Sequence, residues 1–309
     1  MNNLNVSIVL PVYNSEKMLS LCLDSLISLD YPKENIEIIV VDNNSTDKTK
    51  DIISRYKVKY LFERKKGAPA ALNRGIQSSS AEIIAFTHSD CVVDRNWIMN
   101  IAQGFAEDNI GGCGGSVFAY NPRSSIERYC KYRKRYFQNG NIAKDDGFLP
   151  WIMLANAAFQ RNALQEVGLL DKFFTEEYDI DLSWRIHLKG YQFKYIPDAI
   201  VYHKYRDTLI GLWRQCFKIG YNSPRFAKKY GEIYESLYVV PHKNILYICR
   251  EILYGFYNFF EIFFIKKKRQ KAIFILLDNV VYFAFFLGGM HGWLRLKLIG
   301  ILPCLKQYE

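Results

Sequence analysis

The chain has 309 residues, 50% of them hydrophobic, which is enough to bury a full core in one large domain with a tail or in two modest ones, and excludes disorder as its resting state. Its formal net charge is +10, yet residues 1–200 carry equal numbers of acidic and basic side chains, so the whole excess belongs to the last third. Seven cysteines, odd in number, scattered and without a C-x-x-C pair, argue against both a zinc site and a disulfide framework and fit a reducing compartment.

In chain order, the opening MNNLNVSIVLPVYN carries no basic leader. Its apolar run of about five residues is shorter than the core of a secretory signal, so the expected location is inside the cell. Short β-branched runs then alternate with helical stretches. The runs are VSIVLPVY (6–13), IEIIVVD (36–42), VKYLFE (58–63) and EIIAFT (82–87). Between them lie SEKMLSLCLDSLISL (15–29), STDKTKDIISRY (45–56) and PAALNRGIQSSS (69–80). Leu19, Cys22, Leu23, Leu26 and Ile27 form the apolar stripe of the first helix, and Ser15 and Ser45 are expected as N-caps. Strands this apolar, alternating with helices, imply an α/β fold with a mostly parallel sheet covered on both faces. Ligands of such sheets bind beyond the carboxyl ends of the strands.

Polar residues collect at those ends: Pro-Val-Tyr-Asn (11–14) after the first strand, Asp42, Asn43, Asn44 and Ser45 after the second, Ser89 and Asp90 after the fourth. No G-x-G-x-x-G follows the first strand, so a dinucleotide fingerprint is absent. The Gly-Gly-Cys-Gly-Gly of 111–115 precedes Ser-Val-Phe rather than a helix and reads as a place of close chain approach. Singly, Asp42 and Asp90 read equally well as turn or cap residues. Residues 120–150 read as a basic, aromatic helix from Ser125, then a Gly/Asn/Asp-rich loop that either closes over a substrate or merely connects. Glu176, Glu177, Asp179 and Asp181 fit the acidic first turn of a helix ending at Gly190, with Asp181 its cap.

In their fixed order, V-S-I-V-L-P-V-Y-N-S, I-I-V-V-D-N-N-S-T-D-K-T, A-L-N-R-G-I, the S-D at a strand end, A-N-A-A-F (155–159), E-V-G-L-L-D-K-F-F (166–174), Y-D-I-D-L-S-W-R (178–185) and P-D-A-I-V-Y-H (197–203) resemble the family 2 glycosyltransferases, inverting enzymes of the GT-A fold. The resemblance implies a Rossmann-like GT-A catalytic domain over residues 1–225, its mostly parallel sheet flanked by helices. It also implies transfer of a sugar from a nucleotide-sugar donor, UDP-linked, to a hydroxyl.

On the nucleotide side it implies Pro11, Tyr13, Glu16, Asp42, Asn73, Arg74 and Ser89. Tyr13 would lie against the flat base and Asp42 would accept the ring N–H of uracil. Arg74 is either the partner of a base carbonyl or phosphate, or a solvated helix arginine. The implied cofactor is Mn²⁺ or Mg²⁺ on the pyrophosphate, with Asp90 and His203 as ligands, a satisfied structural histidine being the alternative for His203. Where the family's D-x-D has its first acid this chain has His88, which either contacts the ribose or diphosphate or packs as a strand-end histidine; the departure bears on metal dependence. The family's E-D pair reads here as Tyr178-Asp179, which implies Asp179 as the catalytic base. Trp151, Asn156, Tyr178, Trp184 and Arg185 are implied around the donor and acceptor pocket, core packing being the alternative for Trp151 and for Trp184 with Arg185.

Beyond about residue 225 the composition changes to NILYICREILYGFYNFFEIFFI (244–265), KKKRQK (266–271) and AIFILLDNVVYFAFFLGGM (272–290). The last stretch has the length of a membrane span but holds Asp278, and the first holds Arg250, Glu251, Glu261 and many aromatics. Residues 226–309 are therefore expected to form a helical region lying in or dipping into the cytoplasmic leaflet, with Lys266, Lys267, Lys268, Arg269 and Lys271 drawn to anionic lipid. A true span at 272–290, or a helical cap or dimer surface, are the alternatives. The expected place is thus the inner face of the cell membrane, and the expected acceptor a membrane-held glycan or lipid-linked oligosaccharide. Basic residues interleaved with long apolar runs suit lipid better than a phosphate groove, so a nucleic-acid partner is not expected. A nucleotidyltransferase would need a Gly-rich basic signature near the N-terminus, which is missing. A non-catalytic or metal-independent nucleotide-sugar-binding homologue stays open, because His88 and Tyr178 replace family acids.

Overall fold

The elements run β1 (Val6–Val12), α1 (Leu19–Ile27), β2 (Ile36–Asp42), α2 (Thr49–Ile53), β3 (Lys59–Phe62), α3 (Ala68–Ser78), β4 (Ile83–Phe86), β5 (Cys91–Val93), α4 (Trp97–Gln103), β6 (Ile110–Ala119), α5 (Ser125–Tyr132), β7 (Ala157–Gln160), α6 (Arg161–Glu166), α7 (Tyr178–Leu188), β8 (Gln192–His203), α8 (Leu209–Tyr230) and α9 (Arg269–Leu298) in the computed structural model. It describes residues 4–107, 109–135, 138, 142, 149–231, 253 and 269–298. Two compact units result: residues 1–122 with 134–205, and residues 123–133 with 206–309. The compositional shift near residue 225 falls inside α8, which belongs wholly to the second unit.

In the first unit all eight strands join one sheet in the order β3-β2-β1-β4-β7-β6-β8-β5. The four strands read from the sequence are parallel neighbours, and β1, β4 and the second half of β2 are buried because helices cover both faces. The second half is mixed: β7 runs antiparallel to β4 and β6, while β8 is parallel to β6 and antiparallel to β5. Gly115 in β6 lies against the β8 backbone, where an added Cβ would meet the Ala199 carbonyl oxygen at 2.0 Å. This is the close approach read from the glycine-rich run.

Three local expectations are corrected. Ile27 is 41% exposed and falls off the buried stripe of Leu19, Cys22, Leu23 and Leu26. Ser15 and Ser45 do not cap helices, which start later, behind Met18 and Lys48. Both serines are used across loops instead, Ser15 N–H donating to Thr49 Oγ1 at 2.8 Å and Ser45 Oγ accepting from Asn14 N–H at 3.0 Å. By contrast α5 begins at Ser125 as read, behind Ser124 in a capping box with Glu127.

In the second unit α8 and α9 touch backbone to backbone. A Cβ at Gly220 would meet the Phe285 carbonyl oxygen at 2.0 Å, and one at Gly288 the Phe217 carbonyl oxygen at 2.0 Å, so only glycine permits this approach. Asp278 of α9 accepts from Tyr129 Oη at 2.7 Å and from Arg133 Nε at 3.0 Å, with a further contact from Arg133 Nη2. The expected loop at 136–148, apart from Gln138 and Ile142, the apolar stretch 244–265, apart from Leu253, and Lys266, Lys267 and Lys268 lie outside the described residues.

Candidate active site

The sheet itself assembles the first cluster. Thr87, just past β4, is buried and donates to the Ala155 carbonyl at 3.0 Å. His88, Ser89 and Asp90 form the turn into β5, closed by Cys91 N–H donating to the His88 carbonyl at 3.0 Å. β5 pairs with β8 so that Cys91 lies opposite His203. The last residue of β8 is thereby brought to Asp90: His203 Nε2 is 3.4 Å from Asp90 Oδ1, and Lys204 N–H donates to the Asp90 carbonyl at 2.8 Å. The His88 and His203 rings are 6.3 Å apart in an edge-to-face arrangement. One ligand atom from each of His88, Asp90 and His203 lies within 4.8 Å of the others. Cys22 and Cys91 are buried, and burial, reinforced by the charge of Asp90, pushes both thiols up.

The loops after β1, β2 and β4 are tied to one another on the same rim. Ser15 and Ser89 share a hydrogen bond of 2.8 Å between their hydroxyls. Asn14, in the left-handed region that Asn tolerates, accepts from Thr46 N–H at 2.8 Å. Tyr13 stands 57% exposed, a free flat surface, and Pro11 is half-buried inside β1. Glu16 accepts from Lys48 N–H at 3.2 Å. Asp42 is buried at the end of β2, beside Val12 in the register; its Oδ1 holds the turn by accepting from Ser45 N–H at 2.9 Å, and its Oδ2 takes a long bond of 3.4 Å from Tyr60 Oη. The turn role and proximity to Tyr13 therefore coexist.

A second group of acids enters at the start of α7. Glu177 caps it in the left-handed region, at φ 59°, a strained conformation for a glutamate. Its Oε2 is buried with no partner among the described residues, and burial, then Asp179 and Glu176, hold its carboxyl well above the usual range. Burial likewise pushes Asp179 up to about 6, against backbone N–H donors at Ile180 and Leu154. The Tyr178 hydroxyl is pushed up by burial and then by Asp179, Glu176 and Asp90.

Several side chains named from the sequence are engaged within the protein instead. Asn156 is fully buried and spends its amide inward, accepting from Trp97 Nε1 and donating to the Ser116 and Ala199 carbonyls, each at 2.8 Å. Asn73 is engaged twice with the backbone of Leu170, at 2.8 and 2.9 Å. Trp184 is a core tryptophan, donating to the Leu149 carbonyl at 3.2 Å. Arg185 pairs with the buried Asp181 and donates to the Val167 and Leu169 carbonyls, clamping the preceding turn; Asp181 is its counter-ion rather than a cap. Trp151 is half-buried and packs on the core, and Arg74 is exposed on α3. Glu177 was visible in the sequence only as one charge in an acidic run; its strained backbone gives no sequence signal.

The profile described as "Glycosyl transferase family 2" matches residues 7–168, more than half of the chain. The chain belongs to that family. It is a glycosyltransferase, and it resembles "Probable glycosyltransferase YdaM" of Bacillus subtilis, 26% identical over 293 residues that make up 90% of this chain and 67% of that one. It is also 29% identical over 221 residues to a "Poly-beta-1,6-N-acetyl-D-glucosamine synthase" of Staphylococcus epidermidis, covering 68% of this chain but only about half, 52%, of the synthase. Among solved structures, the mannosyltransferase PcManGT of Pyrobaculum calidifontis, in complex with GDP-Man and Mn²⁺, superposes with a TM-score of 0.59 at 16% identity, covering 100% of this chain and 82% of that one. At that identity the likeness is one of fold, and the fold is of the GT-A type.

Proposed function

We propose that this family 2 glycosyltransferase inverts configuration as it moves a sugar from a UDP-linked donor to a hydroxyl of a membrane-held glycan or lipid-linked acceptor, at the inner face of the cell membrane. The observation that carries this reading is the cluster of His88, Asp90 and His203 at the strand-end rim of a family 2 glycosyltransferase. Inversion needs a base opposite the departing diphosphate and within reach of the acceptor hydroxyl. Asp179, pushed up to about 6 by burial, is ionised at neutral pH and still basic enough to take that proton in the transition state. Two imidazoles and a carboxylate clustered within 4.8 Å are a donor set that fits a divalent ion, so His88, Asp90 and His203 would hold it. When bound, the ion offsets the charge of the diphosphate leaving group without proton transfer. Tyr13 offers its exposed ring to the base, and the lightly engaged Oδ2 of Asp42 suits the N–H of uracil.

The name of the staphylococcal relative supports a glycan acceptor. Membrane association is supported by Ile273–Lys297, which is long and apolar enough to cross a membrane by length and composition, while only 33% of its most apolar window is buried. Asp278, paired with Arg133 and Tyr129 of the same unit, favours a helix lying along the membrane surface over one crossing the bilayer, since a carboxylate in hydrocarbon is expensive. The test is thermal unfolding of the full chain with UDP-, GDP- and dTDP-sugars, with and without Mn²⁺. A UDP-sugar at about 100 times its Kd should stabilise by about 2.7 kcal/mol, and only with metal. Stabilisation by a GDP-sugar alone would overturn the donor, and no response to any donor would overturn the whole reading.

A further inference from the structure

The cluster at the end of β4 differs in chemical kind from a pair of carboxylates. His88 and His203 bring imidazole nitrogens and Asp90 a carboxylate oxygen, with ligand atoms within 4.8 Å of one another. The backbone fixes all three. His203 is 4% exposed and held in the β5–β8 register opposite Cys91. The His88 carbonyl accepts both from Cys91 N–H at 3.0 Å and from the Cys22 thiol at 3.5 Å, which anchors the turn that carries its ring. The Asp90 carbonyl is fixed by Lys204 N–H at 2.8 Å. Mg²⁺ is a hard ion that takes oxygen ligands in a near-ideal octahedron and keeps its waters. Imidazole suits later first-row ions, whose affinity for nitrogen sites rises from Mn²⁺ through Co²⁺, with Zn²⁺ also high.

We propose that His88 is a metal ligand, and that the set His88, Asp90 and His203 makes this site select Co²⁺ and Zn²⁺ over Mn²⁺ and reject Mg²⁺. The proposal rests on reading this rim as the diphosphate site, but it is a statement about the ion and can be tested without donor. Substituting the first acid of the D-x-D by histidine would then change which ion serves the enzyme rather than abolish the site.

The experiment is calorimetric titration of the full chain with Co²⁺, Zn²⁺, Mn²⁺ and Mg²⁺ alone, together with the visible spectrum of the Co²⁺ form. Co²⁺ and Zn²⁺ should bind at least about tenfold more tightly than Mg²⁺. His88→Ala should weaken Co²⁺ binding by about tenfold or more and alter the Co²⁺ spectrum. His88→Asp should narrow the gap between Co²⁺ and Mg²⁺ from both sides. Equal affinity for Mg²⁺ and Co²⁺ in the wild type, or a His88→Ala protein with unchanged Co²⁺ affinity and spectrum, overturns the proposal. Should His88→Ala lose its cooperative unfolding transition, His88→Asp decides: an unchanged ratio of Co²⁺ to Mg²⁺ affinity overturns it equally. The expected selectivity in a chain that transfers no sugar would sink the proposed function and leave this inference standing, whereas Mg²⁺ preference in an active transferase would do the reverse.

Discussion

His203 Nε2 lies 3.4 Å from Asp90 Oδ1, although one residue ends β8 and the other follows β4. The pairing of β5 with β8 makes this contact, and it brings the histidine to the rim where the loops after β1, β2 and β4 are already bonded together.

A pH profile follows from the burial of Asp179. Its carboxyl must be ionised to act as a base, so kcat/KM should rise with pH, pass through half its plateau near pH 6 and level off above. The stability consequence has the opposite sign. The folded chain holds this proton up to about 6, whereas an ordinary aspartate releases it near 3.8, so the native state binds more protons within that window and loses stability as pH rises through it. Asp179→Asn should therefore be more stable than wild type at pH 7 by about 1–3 kcal/mol, with the difference vanishing below about pH 4. Denaturant midpoints across this range check both.

Asn156 tests whether a residue aligned with the donor pocket is a support instead. Truncation to alanine leaves Trp97 Nε1 and the Ser116 and Ala199 carbonyls without their buried partner, which should cost about 2–4 kcal/mol. A large fall in the unfolding midpoint with donor KM unchanged is expected. Loss of donor affinity at full stability would return Asn156 to the pocket.

In the second unit Gly288→Val should separate α8 from α9, because the new side chain meets the Phe217 backbone carbonyl rather than a yielding side chain. A destabilisation of about 1–3 kcal/mol or more is expected by thermal unfolding, and an unchanged midpoint would contradict the packing described.

How far the sequence carries the fold depends on what each residue answers to. β1, β4 and the second half of β2 are buried, so their sequences are dominated by apolar residues, and the polar residues after them stand out. Strand β7, only Ala157–Gln160, has no such signature, and its antiparallel direction is set by its neighbours. Ser15 and Ser45 have the composition of helix caps, but their hydroxyls serve other loops, a choice decided by tertiary contact. Asp181 and Arg185 show the same limit. Their spacing fits an exposed pair on a helix, and only the packing of α7 reveals a buried ion pair that clamps a turn.

In the proposed reaction Asp179 takes the proton of the acceptor hydroxyl. The most direct measurement of this role compares wild type and Asp179→Asn for UDP-sugar binding with metal present and for the rate of sugar transfer. Unchanged donor affinity with transfer slowed by about 10²–10⁴ is expected. Transfer by the asparagine variant at the wild-type rate would contradict it.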